Sequence, residues 1–166
     1  MNVVLIGMPG SGKSFIGKLV AFRLGMRFTD VDSMIEQDTR MSISKIFELY
    51  GEGCFREIEA EAVCKVSGLD NMVISTGGGA VLKEENIENL RKCGKIFFIN
   101  RDISNILKAE GLRERPLLKS DSELNLKKLY DDRIFLYNKY ADFVVDNNSE
   151  VGDAVSSIVN IVRKEL

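Results

Sequence analysis

Residues 7–14 read GMPGSGKS and match the pattern G-x-x-x-x-G-K-[ST], with Gly7, Gly12, Lys13 and Ser14 at its fixed positions. A stretch of this kind is built to hold polyphosphate. The N–H groups of residues 10–14 can converge on phosphate oxygens at the positive end of a following helix. Gly10 and Gly12, either side of Ser11, open backbone conformations closed to residues with a Cβ. Lys13 would reach the β- and γ-phosphates, and the Ser14 hydroxyl would take one place on Mg²⁺. A glycine-rich turn with a chance lysine is the plain alternative, but the apolar run NVVLI before the motif and a helical pattern after it supply the context that phosphate binding needs.

A phosphate loop does not by itself separate a kinase from a GTPase or a mechanical ATPase. The guanine-reading N-K-x-D is absent where it begins, since Asn138-Lys139 runs on into Tyr140-Ala141. The chain has no histidine, so a proton acceptor must be a carboxylate or a lysine. FTDVD offers Asp30 and Asp32, two residues apart; on an extended segment both would face the same way. One could help hold hydrated Mg²⁺ and the other accept a hydroxyl proton. The bland reading makes Asp32 a helix N-cap ahead of SMIEQD. FVVD, ending at Asp146, is a second strand–aspartate candidate, but it comes late, and the last strand added to such a sheet tends to lie at an edge.

Three further stretches carry chemistry. STGGGAV at 75–81 has three glycines where a strand-to-helix turn needs at most one, at a cost of roughly 0.5–1 kcal/mol each relative to alanine. Either a ligand lies against the backbone there or the turn is merely floppy. Arg56, in GEGCFREIEAE, stands three residues from Glu59, and Arg133 sits beside Asp131 and Asp132. Surface ion pairs account for both, while a pocket for a carboxylate would use them as two-pronged donors. GLRERPLLKSDS at 111–122 has no clear period and reads as a surface loop or a mobile lid.

These residues need elements to hold them. Short β-rich runs recur at 3–6, 72–75, 95–99 and 143–145, with a weaker one at 27–31. Helical periodicity fills 12–24, 55–66, 102–110, 122–141 and 150–164. Alternating strands and helices imply an α/β fold with a parallel sheet covered on both faces. The 166 residues fit one domain. A net charge of −2 argues against a nucleic-acid partner, and no apolar run approaches the roughly 20 residues of a membrane span. Cys54, Cys64 and Cys93 lack C-x-x-C spacing and read as reduced packing residues, and the start of the chain lacks an export signal, so the expected location is cytoplasmic.

Taken in order and spacing, GMPGSGKS, FTDVD, FREIE, TGGGAV, RPLL and LYDDRIFLYNKYAD resemble the shikimate kinases from Val3 to about Asp146. The resemblance implies ATP-dependent phosphorylation of the 3-hydroxyl of shikimate, on the route to aromatic amino acids, with Mg²⁺. It implies a three-layer αβα, nucleoside-monophosphate-kinase-like fold with a five-stranded parallel sheet in the order 2-3-1-4-5. That fold is one kinase domain over 1–166: a core of 1–110 and 119–166, a lid at about 111–118, and an acceptor-binding region at about 32–62. Carried over by position, Asp32 binds the shikimate hydroxyls and accepts the proton, and Asp30 and Ser14 sit by Mg²⁺ with Asp32 near. Arg56 and Arg133 clamp the carboxylate, Glu59 orients Arg56, and Gly77, Gly78 and Gly79 line the ring. Phe47, Phe55 and Leu118 supply apolar walls. Gly10, Ser11, Gly12, Lys13, Ser14 and Phe15 hold the nucleotide, and the lid's Arg115 reaches the transferring phosphoryl, with Arg113 near the nucleotide. The sequence carries no strong self-association signature, so a monomer is expected. The pattern departs after the last strand, where DNNSEVGD lacks the proline the family often carries. A gluconate kinase of the same fold, or a nucleotide-binding module without chemistry, would share the phosphate loop, but the glycine triplet and F-R-x-x-E argue against the first.

Overall fold

The computed structural model describes residues 1–108 and 122–165. Five parallel strands, β1 (Asn2–Ile6), β2 (Arg27–Asp30), β3 (Met72–Ser75), β4 (Gly94–Asn100) and β5 (Phe143–Asp146), form one sheet in the order β2-β3-β1-β4-β5. Strand order and layering agree with the expectation, and β5 lies at an edge. Seven α-helices are described: α1 (Lys13–Leu24), α2 (Val31–Thr39), α3 (Ile43–Ser67), α4 (Glu84–Cys93), α5 (Ile103–Ile106), α6 (Ser122–Tyr140) and α7 (Val151–Glu165).

Alternation along the central strand sorts the core into two layers. Val4 and Ile6 face a cluster with Ile35, Val63, Leu90, Phe98 and Tyr137. Val3 and Leu5 face the other side, among Ile16, Val20, Phe97, Ile158 and Val162. Burial on both faces is why these strands read as unbroken apolar runs.

Sequence periodicity located the strands and α1, α6 and α7 to within about two residues, but not α2, α4 or the first half of α3. The expected helix over 102–110 shrinks to α5 among the described residues. Helix α3 is bent at Gly51, whose φ of 79° and ψ of 173° interrupt its helical geometry. In a straight helix Phe47 and Phe55 would lie about 12 Å apart along the axis. Across the bend their ring centroids are 4.8 Å apart.

Extended Gly94 opens β4 directly against Asn2, so that a Cβ there would collide with the Asn2 carbonyl. Because that neighbour is backbone, Gly94→Ala should lower the unfolding free energy by roughly 1–3 kcal/mol in urea titration. Gly53, helical and with open space at its Cβ position, gives the opposite expectation: Gly53→Ala should stabilise by roughly 0.5–1 kcal/mol.

Candidate functional site

The loop between β1 and α1 turns in steps that only glycine takes easily, with φ of 78° at Gly10 and 94° at Gly12. The first turn of α1 then leaves donors over. Among the described residues, the N–H groups of Gly10, Gly12, Ser14 and Phe15 meet no backbone acceptor, whereas Ser11 N–H donates to the Met8 carbonyl. They form a main-chain nest of the kind that binds anions. The buried Lys13 ammonium is held over the same loop, donating to the carbonyls of Gly7 at 2.9 Å and Met8 at 2.8 Å.

Beside this nest, Ser14 Oγ donates to Asp30 Oδ2 at 2.5 Å and lies 3.3 Å from Ser75 Oγ at the end of β3. An oxygen-only set of hydroxyl and carboxylate at the mouth of a phosphate nest fits Mg²⁺, which keeps several waters and takes few protein ligands. The expected shared extended segment is not what the chain does. It ends at Asp30, which caps α2 by accepting from Ser33 N at 3.1 Å, and Asp32 lies in the first turn of that helix. Asp30, rather than Asp32, is therefore the N-cap. The helical turn swings Asp32 towards the third strand, where Oδ1 faces Gly77. Asp146 instead binds Asn148 of its own loop, at 3.1 Å to N and 2.7 Å to Nδ2.

An open cleft of about 810 Å³ runs from the nest to α3, lined by Lys13, Ser14, Asp30, Asp32, the glycine triplet and both arginines, with Phe47 and Phe55 as apolar wall. The glycine triplet has a physical cause other than a floppy turn. A Cβ on Gly77 would lie 2.6 Å from Asp32 Oδ1 and 2.7 Å from Glu59 Oε1; one on Gly78 would lie 2.7 Å from Pro9 Cδ; one on Gly79 would run into the Arg56 guanidinium. The space a methyl would need at each position is taken by another side chain.

Glu59 is 1% exposed, so the Arg56 pair is not a surface one. Arg56 donates from Nη1 to Glu59 Oε2 at 2.7 Å and from Nη2 to Glu52 Oε1 at 3.0 Å, and its guanidinium lies 5.2 Å from the Phe55 ring centroid. Burial pushes the Glu59 carboxyl above the ordinary glutamate range against the pull of Arg56 and, more weakly, of Arg133. For Arg56 burial works downward, and Glu59 and Glu52 together outweigh it, leaving the guanidinium above its usual value. Two guanidinium groups favour the charged form of Glu59, but burial outweighs them and holds its carboxyl above the ordinary range. Arg133, 3% exposed on α6, lines the same end of the cleft as Arg56.

The structure thus brings Asp30, Asp32, Phe47, Phe55, Arg56, Glu59, Gly77, Gly78, Gly79 and Arg133 together with Lys13 and Ser14, and sets Gly10, Ser11, Gly12 and Phe15 in the adjoining nest. Arg113, Arg115 and Leu118 lie outside the described residues. Sequence reasoning missed Tyr137, Asn147 and Arg101. Tyr137 is wholly buried, and Arg101 Nη1 donates to the Gly10 carbonyl at 3.2 Å. LYNKYAD gave Tyr137 an apolar helical period and nothing more.

A main-chain phosphate nest facing a two-arginine pocket across one cleft, at the carboxyl ends of parallel strands, defines a P-loop kinase with a small anionic acceptor. A family model described as "Shikimate kinase" matches residues 9–163. A shikimate kinase of Clostridium botulinum is 41% identical over 161 residues, covering 97% of this chain and 96% of that one. One from Geobacter sulfurreducens is 43% identical over 166 residues, covering 98% and 91%. Among solved structures, a shikimate kinase from Acinetobacter baumannii in complex with shikimate superposes with a TM-score of 0.94 at 30% identity, over 99% of this chain and 93% of that one. The enzyme from Aquifex aeolicus gives 0.86 at 34% identity, over 99% and 98%. The chain belongs to the shikimate kinase family, whose members phosphorylate shikimate with ATP and Mg²⁺.

Because the Glu59 value is raised in the folded state, its contribution to stability is full below the unfolded value of about 4.5 and fades as pH rises through the folded value. Glu59→Gln does not titrate. Measured by chemical denaturation, its stability deficit relative to the unsubstituted chain should therefore be larger at about pH 4 than at about pH 8. The reverse order would contradict the upward shift.

Proposed function

We propose that this chain transfers the terminal phosphoryl of ATP to the 3-hydroxyl of shikimate, giving shikimate 3-phosphate and ADP. The observation that carries the reading is the Pro9–Gly78 contact, which sets the phosphate nest and the acid pocket edge to edge.

Each residue then has one duty. The amides of Gly10 and of Gly12 to Phe15, with the Lys13 ammonium, hold the phosphates. Ser14 and Asp30 would hold Mg²⁺, with Asp32 near; the ion supplies neutralising charge on the phosphoryl oxygens. Arg56 and Arg133 grip the substrate carboxylate with paired hydrogen bonds, Glu59 fixes the Arg56 fork, and the Gly77–Gly79 backbone meets the ring and its hydroxyls. Phe47, Phe55 and Leu118 wall the ring. Asp32 binds the hydroxyls and takes the proton of the reacting one as its oxygen bonds to phosphorus and the bond to ADP breaks. Arg115 stabilises charge on the transferring group, and a lid at about 111–118 excludes water so that the hydroxyl receives the phosphate. Residues 1–110 and 119–166 form the remaining core of a single domain, with the acceptor region at about 32–62.

The chain works as a cytoplasmic monomer without nucleic-acid or membrane partners. Its slight acidity supports this, and among the described residues no helix is long and apolar enough to cross a membrane.

ADP release coupled to a spectrophotometric readout should depend on added shikimate; turnover no faster than without acceptor would defeat the assignment. Asp32→Asn should cost about 10²- to 10⁴-fold in kcat on a folded protein, and a near-normal rate would exclude the proton-acceptor role. Arg133→Lys should chiefly raise the KM for shikimate, since a point charge cannot reproduce a two-pronged grip.

A further inference from the structure

Both halves of the cleft present backbone N–H groups, and in each half a carbonyl on the far side of the peptide is gripped from behind by a buried side chain. Tyr137 Oη donates to the Gly78 carbonyl at 2.6 Å. Asn147 Nδ2 donates to the Ser11 carbonyl at 2.8 Å. Tyr137 is 0% exposed and Asn147 5%, and neither lines the cleft.

All peptide bonds described are trans, so a carbonyl oxygen and the N–H of the next residue point in opposite directions within the peptide plane. Holding Gly78 O therefore aims Gly79 N–H away from Tyr137, and holding Ser11 O aims Gly12 N–H away from Asn147. Among the described residues neither of those two N–H groups has a backbone acceptor. Gly79 lines the cleft, and Gly12 is packed so closely on Asn147 that a Cβ there would lie 2.9 Å from Nδ2. Glycines sample many backbone conformations when unrestrained, so an amide cradle without such an anchor would have to be ordered on binding.

We propose that Tyr137 and Asn147 are paired positioning residues, one for each substrate: Tyr137 sets the Gly79 amide for the acid acceptor, and Asn147 sets the Gly12 amide for the nucleotide phosphates. The inference rests on the functional reading above and extends it to two residues that touch neither substrate. Tyr137 is suited to the task because burial, opposed in part by the neighbouring Arg133, pushes its phenol up to about 12, so it stays a donor throughout the working range. Arg101 supports the same loop, but the N–H paired with its carbonyl is already spent on Met8, so it aims no donor at the cleft.

If these bonds served only to satisfy buried carbonyls, losing them would lower stability and disturb both substrates alike. A positioning role predicts crossed selectivity. Tyr137→Phe removes one oxygen and keeps the ring that lies 5.1 Å from Phe98. It should raise the KM for shikimate by about five- to tenfold and leave the KM for ATP within about twofold. Asn147→Ala should do the reverse, and should weaken ADP binding, titrated directly by calorimetry, by a similar factor of about five to ten. Asn147→Ser replaces it if the alanine variant does not fold. Equal movement of both KM values, or of neither, with only the melting temperature lowered, would overturn the proposal. Wild-type turnover is measured first: shikimate-dependent ADP release with unselective variants sinks this inference alone, whereas no such release sinks the functional reading, and the ADP titration still decides the Asn147 arm.

Discussion

The contact between Pro9 and Gly78 sets the scale of the whole site. A Cβ on Gly78 would lie 2.7 Å from Pro9 Cδ, so the bare Gly78 backbone packs against the Pro9 ring with no room for a side chain on the glycine. Phosphoryl transfer needs little covalent help from a protein; it needs donor and acceptor oxygens held nearly in line, with charge placed around them. β1 and β3 are sheet neighbours, so the phosphate loop and the glycine triplet that follow them leave the sheet at the same edge.

Electrostatics at the acceptor end follow from burying one carboxylate. Burial in an apolar wall favours the neutral form of Glu59, and Arg56 and, more weakly, Arg133 pull it back towards the anion without cancelling the upward shift. A buried ion pair of this kind is a weak source of stability, because desolvation consumes most of the attraction. Its value here is geometric. Glu59 and Glu52 leave the Arg56 fork little rotational freedom, and the missing side chain of Gly79 makes room for it.

Backbone irregularity positions what the regular elements cannot. The bend at Gly51 folds Phe47 onto Phe55 and closes one wall of the pocket. The helix begun at Val31 directly after β2 turns Asp32 away from Asp30, which sends one carboxylate to the Ser14 hydroxyl and the other to the glycine triplet. Two acids two residues apart thereby line different parts of the cleft.

How much of this was legible depends on the range over which each feature acts. The phosphate nest is made by contiguous amides with glycines at the required turns, so GMPGSGKS determined it locally, and unbroken apolar runs with helical periods between them determined the parallel layered sheet. The acid pocket was legible as residue types, Arg56, Arg133 and the glycine triplet; helical spacing named Glu59 as a partner of Arg56, but no local rule named what faces Arg133 or the glycines. Tertiary structure alone decided that Glu59 is buried, that Asp30 rather than Asp32 caps α2, and why each glycine of the triplet is required. It alone brought Tyr137 to Gly78 across 59 residues and Asn147 to Ser11 across 136. The reason is physical: backbone conformation answers to near neighbours, whereas exclusion of a methyl group, burial of a charge and the grip on a carbonyl answer to whatever the fold sets beside them.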